Sequence, residues 1–309
     1  MLSGESKDMS ATVAKPRSAR PTSEDDITAE VLRRVEATPD PRTREIMLSL
    51  LKHLHAFIRE VRLTEPEWWK GIDFLTRTGH MCDDRRQEFI LLSDTLGVSM
   101  VTDLMSNSKP AGATESTVFG PFHRDGAPEM PFGGDIARVD RGGVPTVISG
   151  RVLDLNGKPI AGAMLDVWQV SADALYDSQE PELEGMNMRG LFRTDSEGRY
   201  QVRTRRPVHY QIPSDGPVGE LLRATNRHPW RPAHTHFVIF AEGYEPVTTH
   251  LFDSIDPYLN EDAVFGVKDS LIVNFEEHKT SDEAAKKYGI EPPFCTTEYD
   301  FVLAPAKAK

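Results

Sequence analysis

The chain has 309 residues, which is enough for one large domain or two modest ones around a sizeable core. Its formal net charge of -12 argues against a nucleic-acid partner, because phosphate binding needs a basic face. The two cysteines, Cys82 and Cys295, stand alone outside any C-x-x-C pattern, which argues against a thiolate zinc or iron–sulfur site and agrees with a cytoplasmic location.

The first 23 residues are rich in Ser, Ala, Pro, Lys and Arg and have almost no apolar periodicity. We therefore expect a disordered leader over residues 1–23. This stretch lacks the apolar core of a signal peptide, and no later stretch is apolar for long enough to span a bilayer. We expect a cytoplasmic protein without a membrane span.

Apolar residues recur at helical spacing over residues 24–106, which predicts an all-α helical module. From Ile46 to Val61 they form one stripe, and Thr64-Glu65-Pro66-Glu67 is typical of a capping box with proline in the first turn. The wide apolar stripe suggests an interface for a second copy of the chain. The predicted helices run from Glu24 to just before Pro39, over 46–61, from about residue 64 onwards, over 83–96 and over 98–105.

Glycine and proline become frequent in residues 107–144, without a sustained period, so we expect a connector there. Inside it, Val118-Phe119-Gly120-Pro121-Phe122 is apolar, which indicates a loop tucked into the body of the protein. Two interpretations remain open at this point. The loop either fills the core or forms the wall of a pocket.

Residues 145–309 carry many short apolar runs separated by turn signals such as Asn156-Gly157 and Asp195-Ser196-Glu197-Gly198, a pattern typical of a β-sandwich. The predicted fold class is therefore α+β and mainly β, with an antiparallel β-sandwich domain behind the N-terminal helical module. No G-x-G-x-x-G or P-loop pattern is present, so nucleotide cofactors are unsupported. Strands are predicted at 146–153, 163–170, 191–194, 199–203, 233–240, 247–252, 270–274 and 297–302.

His234 and His236 stand two positions apart at the head of an apolar run. Because side chains alternate between the two faces of a strand, both imidazoles point the same way and one metal ion can hold both. A packed, hydrogen-bonded histidine pair is an equally good interpretation of so short a pattern. Further ligands are needed to decide between them.

Tyr176 and Tyr210 are the available oxygen donors, since both occur upstream in polar, turn-like surroundings. Two phenolates and two imidazoles form a hard, anionic donor set that favours a trivalent metal, and ferric iron fits it best. A zinc hydrolase is disfavoured, because no carboxylate is placed as a base beside the histidines.

The second half of the chain resembles the intradiol ring-cleaving dioxygenases, and the helical first half resembles the linker module of their catechol and hydroxyquinol branches. The motifs that carry this resemblance are Gly150-Arg151-Val152, Pro159-Ile160-Ala161-Gly162-Ala163, Asp166-Val167-Trp168, Tyr176, the turn from Asp195 to Tyr200, Tyr210, and Arg231-Pro232-Ala233-His234-Thr235-His236. Such a linker module implies a homodimer, with lipid held at its interface.

The resemblance implies one Fe(III) ion per subunit, held by Tyr176, Tyr210, His234 and His236. It also implies that Tyr210 leaves the metal when substrate binds. Arg231 is then the candidate for stabilising negative charge on the substrate ring, the alternative being a surface salt bridge at a strand start. Tyr200 is interpreted as structural, because strand propensity alone explains it.

The pocket residues resemble those of the hydroxyquinol branch, which implies cleavage of 1,2,4-trihydroxybenzene by O2 between its vicinal hydroxyls, giving 3-hydroxy-cis,cis-muconate or maleylacetate. Asp94 can accept a hydrogen bond from the third hydroxyl, or it is simply solvated on its helix. His250 stands where the catechol branch often has glutamine. Catechol or chlorocatechol 1,2-cleavage is the alternative activity, and a non-catalytic transthyretin-like binding module the alternative class. The full predicted pocket is Leu91, Asp94, Val118, Phe119, Gly120, Pro121, Phe122, Ile212, Pro213, Arg231, His250 and Val264.

Overall fold

The computed structural model describes residues 20, 22–84, 86–180 and 182–307. The predicted leader over residues 1–23 falls largely outside the described residues. The chain divides into two compact units, Met1–Ile72 and Asp73–Lys309. The finer domain boundaries expected after residues 106 and 144 remain a prediction.

In the first unit, helix α1 spans Glu24–Val35 and helix α2 spans Pro41–Val61. Ser23 caps α1 in a capping box with Asp26, while the Asp40 side chain accepts from the Thr43 N–H at the start of α2. The two helices pack against each other, yet neither contains a buried residue. Their apolar side chains are therefore left largely exposed.

Helix α3 spans Glu65–His80 and begins where the capping box predicts it, with Glu67 Oε2 accepting from the Thr64 N–H at 2.9 Å. Helices α4 (Glu88–Thr95) and α5 (Val98–Ser106) follow, separated by Gly97 in the left-handed conformation. The fourth helix starts five residues later than predicted. Asp83 and Arg86 instead close a turn, in which Asp83 Oδ1 accepts from the Arg86 N–H at 2.7 Å.

Strands dominate the rest of the second unit, together with helices α6 (Pro217–Ala224) and α7 (Glu283–Tyr288). The strands are β1 Pro145–Asp154, β2 Met164–Trp168, β3 Arg189–Arg193, β4 Arg199–Arg205, β5 Tyr210–Gln211, β6 Trp230–Arg231, β7 His234–Phe240, β8 Val247–Asp253, β9 Ile272–Val273, β10 Glu276–His278, β11 Phe294–Glu298 and β12 Phe301–Leu303. One sheet has the order β10-β11-β1-β12, with β4 also paired to β1. The other sheet has the order β3-β2-β7-β8-β9, and β5 pairs with β6.

The predicted sandwich is confirmed, but its sheets are mixed rather than wholly antiparallel. Strand β1 pairs in parallel with β11 and β12, and β8 pairs in parallel with β9. The single strand predicted over residues 297–302 is broken at Tyr299, whose carbonyl oxygen approaches Gly150 so closely that a Cβ there would lie 1.9 Å away. Asp300 then accepts from the Arg151 N–H at 2.8 Å, which joins both halves to the same strand.

The main core draws large buried side chains from both five-stranded sheets, including Ile148, Leu165, Phe192, Phe237 and Phe301. In the described part of the chain, no single helix has the length and apolarity to cross a bilayer. Only α4 and α5 taken together, with a 78° bend between them, meet that length and composition criterion.

Candidate metal centre

Strand β7 places the two histidines as its alternation predicts. His234 and His236 are both buried, and their Nε2 atoms lie 3.1 Å apart. Thr235, between them, points to the other face, where its hydroxyl donates to Gln169 Oε1 at 2.9 Å. The pair therefore forms one end of a shared site.

The two tyrosines meet the histidines at the same point. Tyr176 follows β2 in a turn, Tyr210 lies on β5, and their hydroxyl oxygens are 3.1 Å apart. The Tyr176 oxygen also lies 2.9 Å from His236 Nε2. Neighbouring ligands bound at about 2.1 Å on one metal ion are about 3 Å apart. The donors thus converge at the spacing that a single metal ion requires.

The imidazoles are oriented and neutral. His234 Nδ1 donates to the Pro232 carbonyl at 2.7 Å, which leaves Nε2 free to bind a metal. The Trp168 indole stacks on the His236 ring, with centroids 4.5 Å apart and planes 12° apart. Burial, and then the charge of Arg231, lowers the pKa of His234 well below its usual value. Both properties suit a metal ligand, since the neutral imidazole binds metals.

Tyr176 is held by the neighbouring loop and by a buried ion pair. Phe122 stacks on its ring, with centroids 4.5 Å apart. Arg189 donates to Asp177, the next residue after Tyr176, at 2.7 Å and to the Phe122 carbonyl at 2.6 Å. Burial, and then the nearby Tyr210, raises the pKa of Tyr176 well above its usual value. Ionisation of this phenol therefore depends on a bound cation.

Tyr200, by contrast, lies in the main core of the sandwich and not at this site. Its hydroxyl donates to the Tyr299 carbonyl at 2.8 Å, beside the rings of Phe237 and Phe301. These contacts give Tyr200 a structural role in the packing of the main core.

Arg231 is buried beside the donors and is not part of a surface salt bridge. Its Nη1 lies 3.4 Å from the Tyr210 hydroxyl and 3.2 Å from His234 Nε2. Burial lowers the pKa of Arg231, but the charge of Asp262 and then of the tyrosines raises it to a value above the usual one. A permanent cation therefore faces the centre.

The predicted apolar pocket surrounds the same donors. Gly120 approaches His236 closely, because a Cβ on it would lie 3.5 Å from His236 Cε1. Phe119 is half exposed and meets the edge of Trp168, with centroids 5.8 Å apart, while Pro121 and Pro213 are partly buried. The buried residues that share one apolar cluster with Tyr176 and Tyr210 include Leu91, Val118, Phe122, Ile212 and Val264. The loop from Val118 to Phe122 thus lines the centre.

Asp94 and His250 complete the predicted set. Asp94 is 3% exposed, which rules out the solvated alternative, and it lines a cavity of about 400 Å³ together with Val118, Phe119 and Gly120. Burial raises the pKa of Asp94, although a Ser99 hydrogen bond and the Arg231 charge act in the opposite direction.

His250 is fully buried on β8, opposite His236. Its ring lies 4.0 Å from the His236 ring and 4.6 Å from the His234 ring, between centroids. Among the described residues, neither of its ring nitrogens makes a hydrogen bond of normal geometry, although the Val118 backbone lies near enough to act on the ring. A ligand oxygen can therefore be a better placed partner of His250.

Known proteins resemble the chain over almost its whole length. Residues 121–305 match the family described as Dioxygenase, and residues 40–114 match the family described as Catechol dioxygenase N terminus. The 6-chlorohydroxyquinol 1,2-dioxygenase of Cupriavidus pinatubonensis is 56% identical over 80% of this chain and 89% of that protein. The hydroxyquinol 1,2-dioxygenase of Nocardioides simplex is 44% identical over 96% of this chain and 100% of that protein. The solved hydroxyquinol 1,2-dioxygenase from Pseudomonas putida DLL-E4 superposes with a TM-score of 0.84 at 50% identity, covering 92% of this chain and 99% of that one.

The chain belongs to the intradiol dioxygenase family. The prediction that the chain is an enzyme is therefore confirmed, and the alternative that it is a non-catalytic binding module is wrong. This family implies non-haem iron, with which the histidines of this intradiol dioxygenase are consistent. An aromatic substrate and O2 accord with the same family.

Two charged residues beside the centre of this dioxygenase are missed by the sequence analysis. Arg189 and Asp262 are both buried. Arg189 forms an ion pair with Asp177, the residue after Tyr176, and Asp262 forms one with Arg231, which lies beside Tyr210. The only available signal for Asp262 is an acidic residue directly before the apolar Ala263-Val264 pair. Such a signal is too common to identify a partner 31 residues away.

Proposed function

We propose that this intradiol dioxygenase cleaves hydroxyquinol, 1,2,4-trihydroxybenzene, between its vicinal hydroxyls, using one Fe(III) ion per subunit. The observation that carries the choice of substrate is the buried carboxylate of Asp94, which lines a cavity with Val118 and Phe119 and feels the charge of Arg231. The Ser99 hydroxyl supplies one hydrogen bond to this buried carboxylate, whose other acceptor positions can receive a hydrogen bond from a ligand hydroxyl. Hydroxyquinol has such a third hydroxyl, and catechol lacks it.

Tyr176, Tyr210, His234 and His236 are the residues that would hold the iron. When bound, ferric iron supplies positive charge that favours loss of the vicinal hydroxyl protons and draws electron density from the ring. The two phenolates and two neutral imidazoles form a hard donor set, which favours the trivalent ion.

The side chains around the ring have separate roles. Tyr210 accepts a substrate proton at its hydroxyl oxygen, which also accepts a hydrogen bond from Arg231 Nη1 at 3.4 Å. The Arg231 guanidinium then stabilises negative charge on the ring, because it remains cationic. His250 offers a ring N–H to a substrate oxygen, because this buried ring makes no hydrogen bond of normal geometry among the described residues.

The apolar walls position the ring and exclude water. Leu91, Ile212 and Val264 are each at most 3% exposed. Because the surroundings are dry, the charges of Asp94 and Arg231 act on the substrate more strongly than they would in water. The expected product is 3-hydroxy-cis,cis-muconate, the enol form of maleylacetate.

Oxygen uptake and product analysis on the purified, iron-loaded chain test this proposal. With hydroxyquinol, we expect rapid consumption of one O2 per ring and formation of maleylacetate, with catechol turned over far more slowly. A clear preference for catechol or a chlorocatechol would overturn the choice of substrate.

A homodimer through the helical module is also proposed, with lipid at its interface. The support is the row of apolar side chains on α2 and α3 that remain about half exposed, among them Leu50 at 53%, Phe57 at 51% and Trp69 at 56%. Contiguous exposed apolar surface of this kind marks interaction sites. Light scattering should give twice the monomer mass, Leu50→Glu should give a monomer, and organic extraction followed by mass spectrometry should recover the lipid.

The proposed location is the cytoplasm. Both cysteines are free thiols, and Cys295 is buried, which is typical of a reducing compartment. Fractionation of cells that express the native gene tests this, because recovery in a secreted fraction would contradict it.

A further inference from the structure

We propose that Asp262 is a positioning residue of this dioxygenase, whose carboxylate holds the Arg231 guanidinium and the segment of Val264 in one fixed arrangement against the substrate ring. The inference rests on the proposed function, because it assumes that Arg231 acts on the bound substrate. It assigns a role to a residue that touches neither the iron ligands nor the ring.

The ion pair determines how Arg231 is aimed. Asp262 Oδ1 accepts from Arg231 Nε at 3.0 Å, and Oδ2 accepts from Nη2 at 3.3 Å. A two-point contact of this kind fixes the plane of the guanidinium as well as its position. The remaining nitrogen, Nη1, is thereby directed at the Tyr210 hydroxyl and at His234 Nε2.

The same carboxylate holds the pocket wall. Oδ1 accepts from the Val264 N–H at 3.3 Å, and Oδ2 accepts from the Gly266 N–H at 2.9 Å. The Gly266 carbonyl in turn accepts from the Thr117 hydroxyl at 2.7 Å, directly before Val118. Two oxygens of one side chain therefore connect the charge, the Val264 wall and the base of the Val118 loop.

Close packing leaves this arrangement little freedom. A Cβ on Gly266 would lie 3.0 Å from Arg231 Nη2, 3.1 Å from Thr117 Oγ1 and 3.2 Å from Asp262 Oδ2. The side chains of Arg231 and Asp262 are 3% and 2% exposed. Since no solvent replaces a lost contact here, removing the carboxylate charge leaves the guanidinium buried without the two-point partner that fixes its orientation.

The chain contains a similar ion pair whose side chains make no hydrogen bond to Tyr176, Tyr210, His234 or His236 among the described residues. Arg206 donates from Nε to Asp253 Oδ2 at 2.7 Å and from Nη2 to Oδ1 at 3.3 Å, and Asp253 also accepts from the Ile255 N–H at 3.3 Å. The third guanidinium nitrogen of Arg206, Nη1, donates to Glu277 at the surface. Asp253→Asn is therefore a control that breaks the same kind of arginine–carboxylate contact, at an arginine whose third nitrogen does not face the site.

The test compares Asp262→Asn with Asp253→Asn in the full, iron-loaded chain. Both variants should lower the Tm of the metal-free protein. Only Asp262→Asn should reduce kcat/KM for hydroxyquinol, by about 10- to 100-fold, the usual cost of losing a residue that orients a site group. Most of the loss should be in kcat, because Arg231 acts on charge that develops during the reaction. Asp262→Glu, which keeps the charge, should recover part of the activity.

A double-variant cycle with Arg231→Met separates positioning from stability. If Asp262 acts through Arg231, adding Asp262→Asn to Arg231→Met should change kcat/KM for hydroxyquinol by less than about twofold. This pair also removes the buried charge from both partners, so it stays measurable if Asp262→Asn alone does not fold. A further tenfold loss of kcat/KM in the double variant relative to Arg231→Met would overturn the proposal. Equal losses of kcat in Asp262→Asn and Asp253→Asn would overturn it as well. If the wild-type protein prefers catechol, the proposed substrate is wrong, but the same contrast measured with catechol still decides the role of Asp262.

Discussion

The role of Asp94 gives the sharpest prediction about specificity. Asp94→Asn keeps the size of the side chain and removes its charge, at a position that is 3% exposed and within reach of the Arg231 charge. A hydrogen bond to a charged group contributes about 1.5 to 3 kcal/mol, whereas the neutral bond that the asparagine oxygen can still accept contributes about 0.5 to 1.5 kcal/mol. The difference of about 1 to 1.5 kcal/mol predicts that kcat/KM for hydroxyquinol falls by about 5- to 13-fold. Catechol, which has no third hydroxyl, should lose less than about threefold.

The assay is steady-state oxygen uptake on both substrates with matched variants. Glu88→Gln is the control, because Glu88 is also buried on helix α4 and its carboxylate accepts from the Arg86 guanidinium at 2.9 Å and from the Val218 N–H at 3.2 Å. It should affect both substrates equally. If Asp94→Asn also loses the same factor on hydroxyquinol and catechol, Asp94 does not recognise the third hydroxyl.

The pH dependence of selectivity follows from the same carboxylate. Burial raises the pKa of Asp94, so as pH falls it takes up a proton at a higher pH than an exposed aspartate does. The protonated form is a weaker acceptor. The preference for hydroxyquinol over catechol should therefore decline on the acid side, beginning above the usual range of an aspartate, and Asp94→Asn should abolish this dependence.

Three further predictions concern the metal donors and the fold. Tyr176→Phe and Tyr210→Phe should each shift or bleach the visible tyrosinate-to-iron band, and a colourless wild-type protein with full iron content would refute the ligand assignment. Because the pKa of Tyr176 is raised by burial, iron must displace its proton, so apparent iron affinity should rise by about tenfold per pH unit for each proton released; a pH-independent affinity by competitive chelation contradicts this. Gly150→Ala places a Cβ 1.9 Å from the Tyr299 oxygen and should destabilise the fold by more than about 4 kcal/mol in urea unfolding. Gly71 lies on helix α3 with nothing within 4 Å of an added Cβ, so Gly71→Ala should instead raise the free energy of unfolding by about 0.5 to 1 kcal/mol. Equal changes in the stability of the two variants would refute the steric argument.

Local pattern was enough to predict the chemical types at the site. Strand alternation placed His234 and His236 on one face, and the resemblance to the intradiol dioxygenases added Tyr176 and Tyr210 as the remaining predicted donors. The helices and most of the strands were also predictable. Capping, proline and apolar period act over a few residues, so the sequence carries that information directly.

Tertiary structure alone decided which distant groups meet. Tyr176 and Tyr210 are 34 positions apart, and Arg231 and Asp262 are 31 apart, so neither pairing leaves a local pattern. The burial of Asp94 likewise depends on elements that are remote in sequence, since an aspartate on a short helix is usually exposed. The parallel pairing of β1 with β11 and β12 joins strands more than a hundred residues apart, at a glycine that lets the Tyr299 carbonyl approach. The sequence by itself therefore determined the donor types and the local elements. Long-range packing decided the charge arrangement around the ring, because buried ion pairs and burial depend on the whole fold.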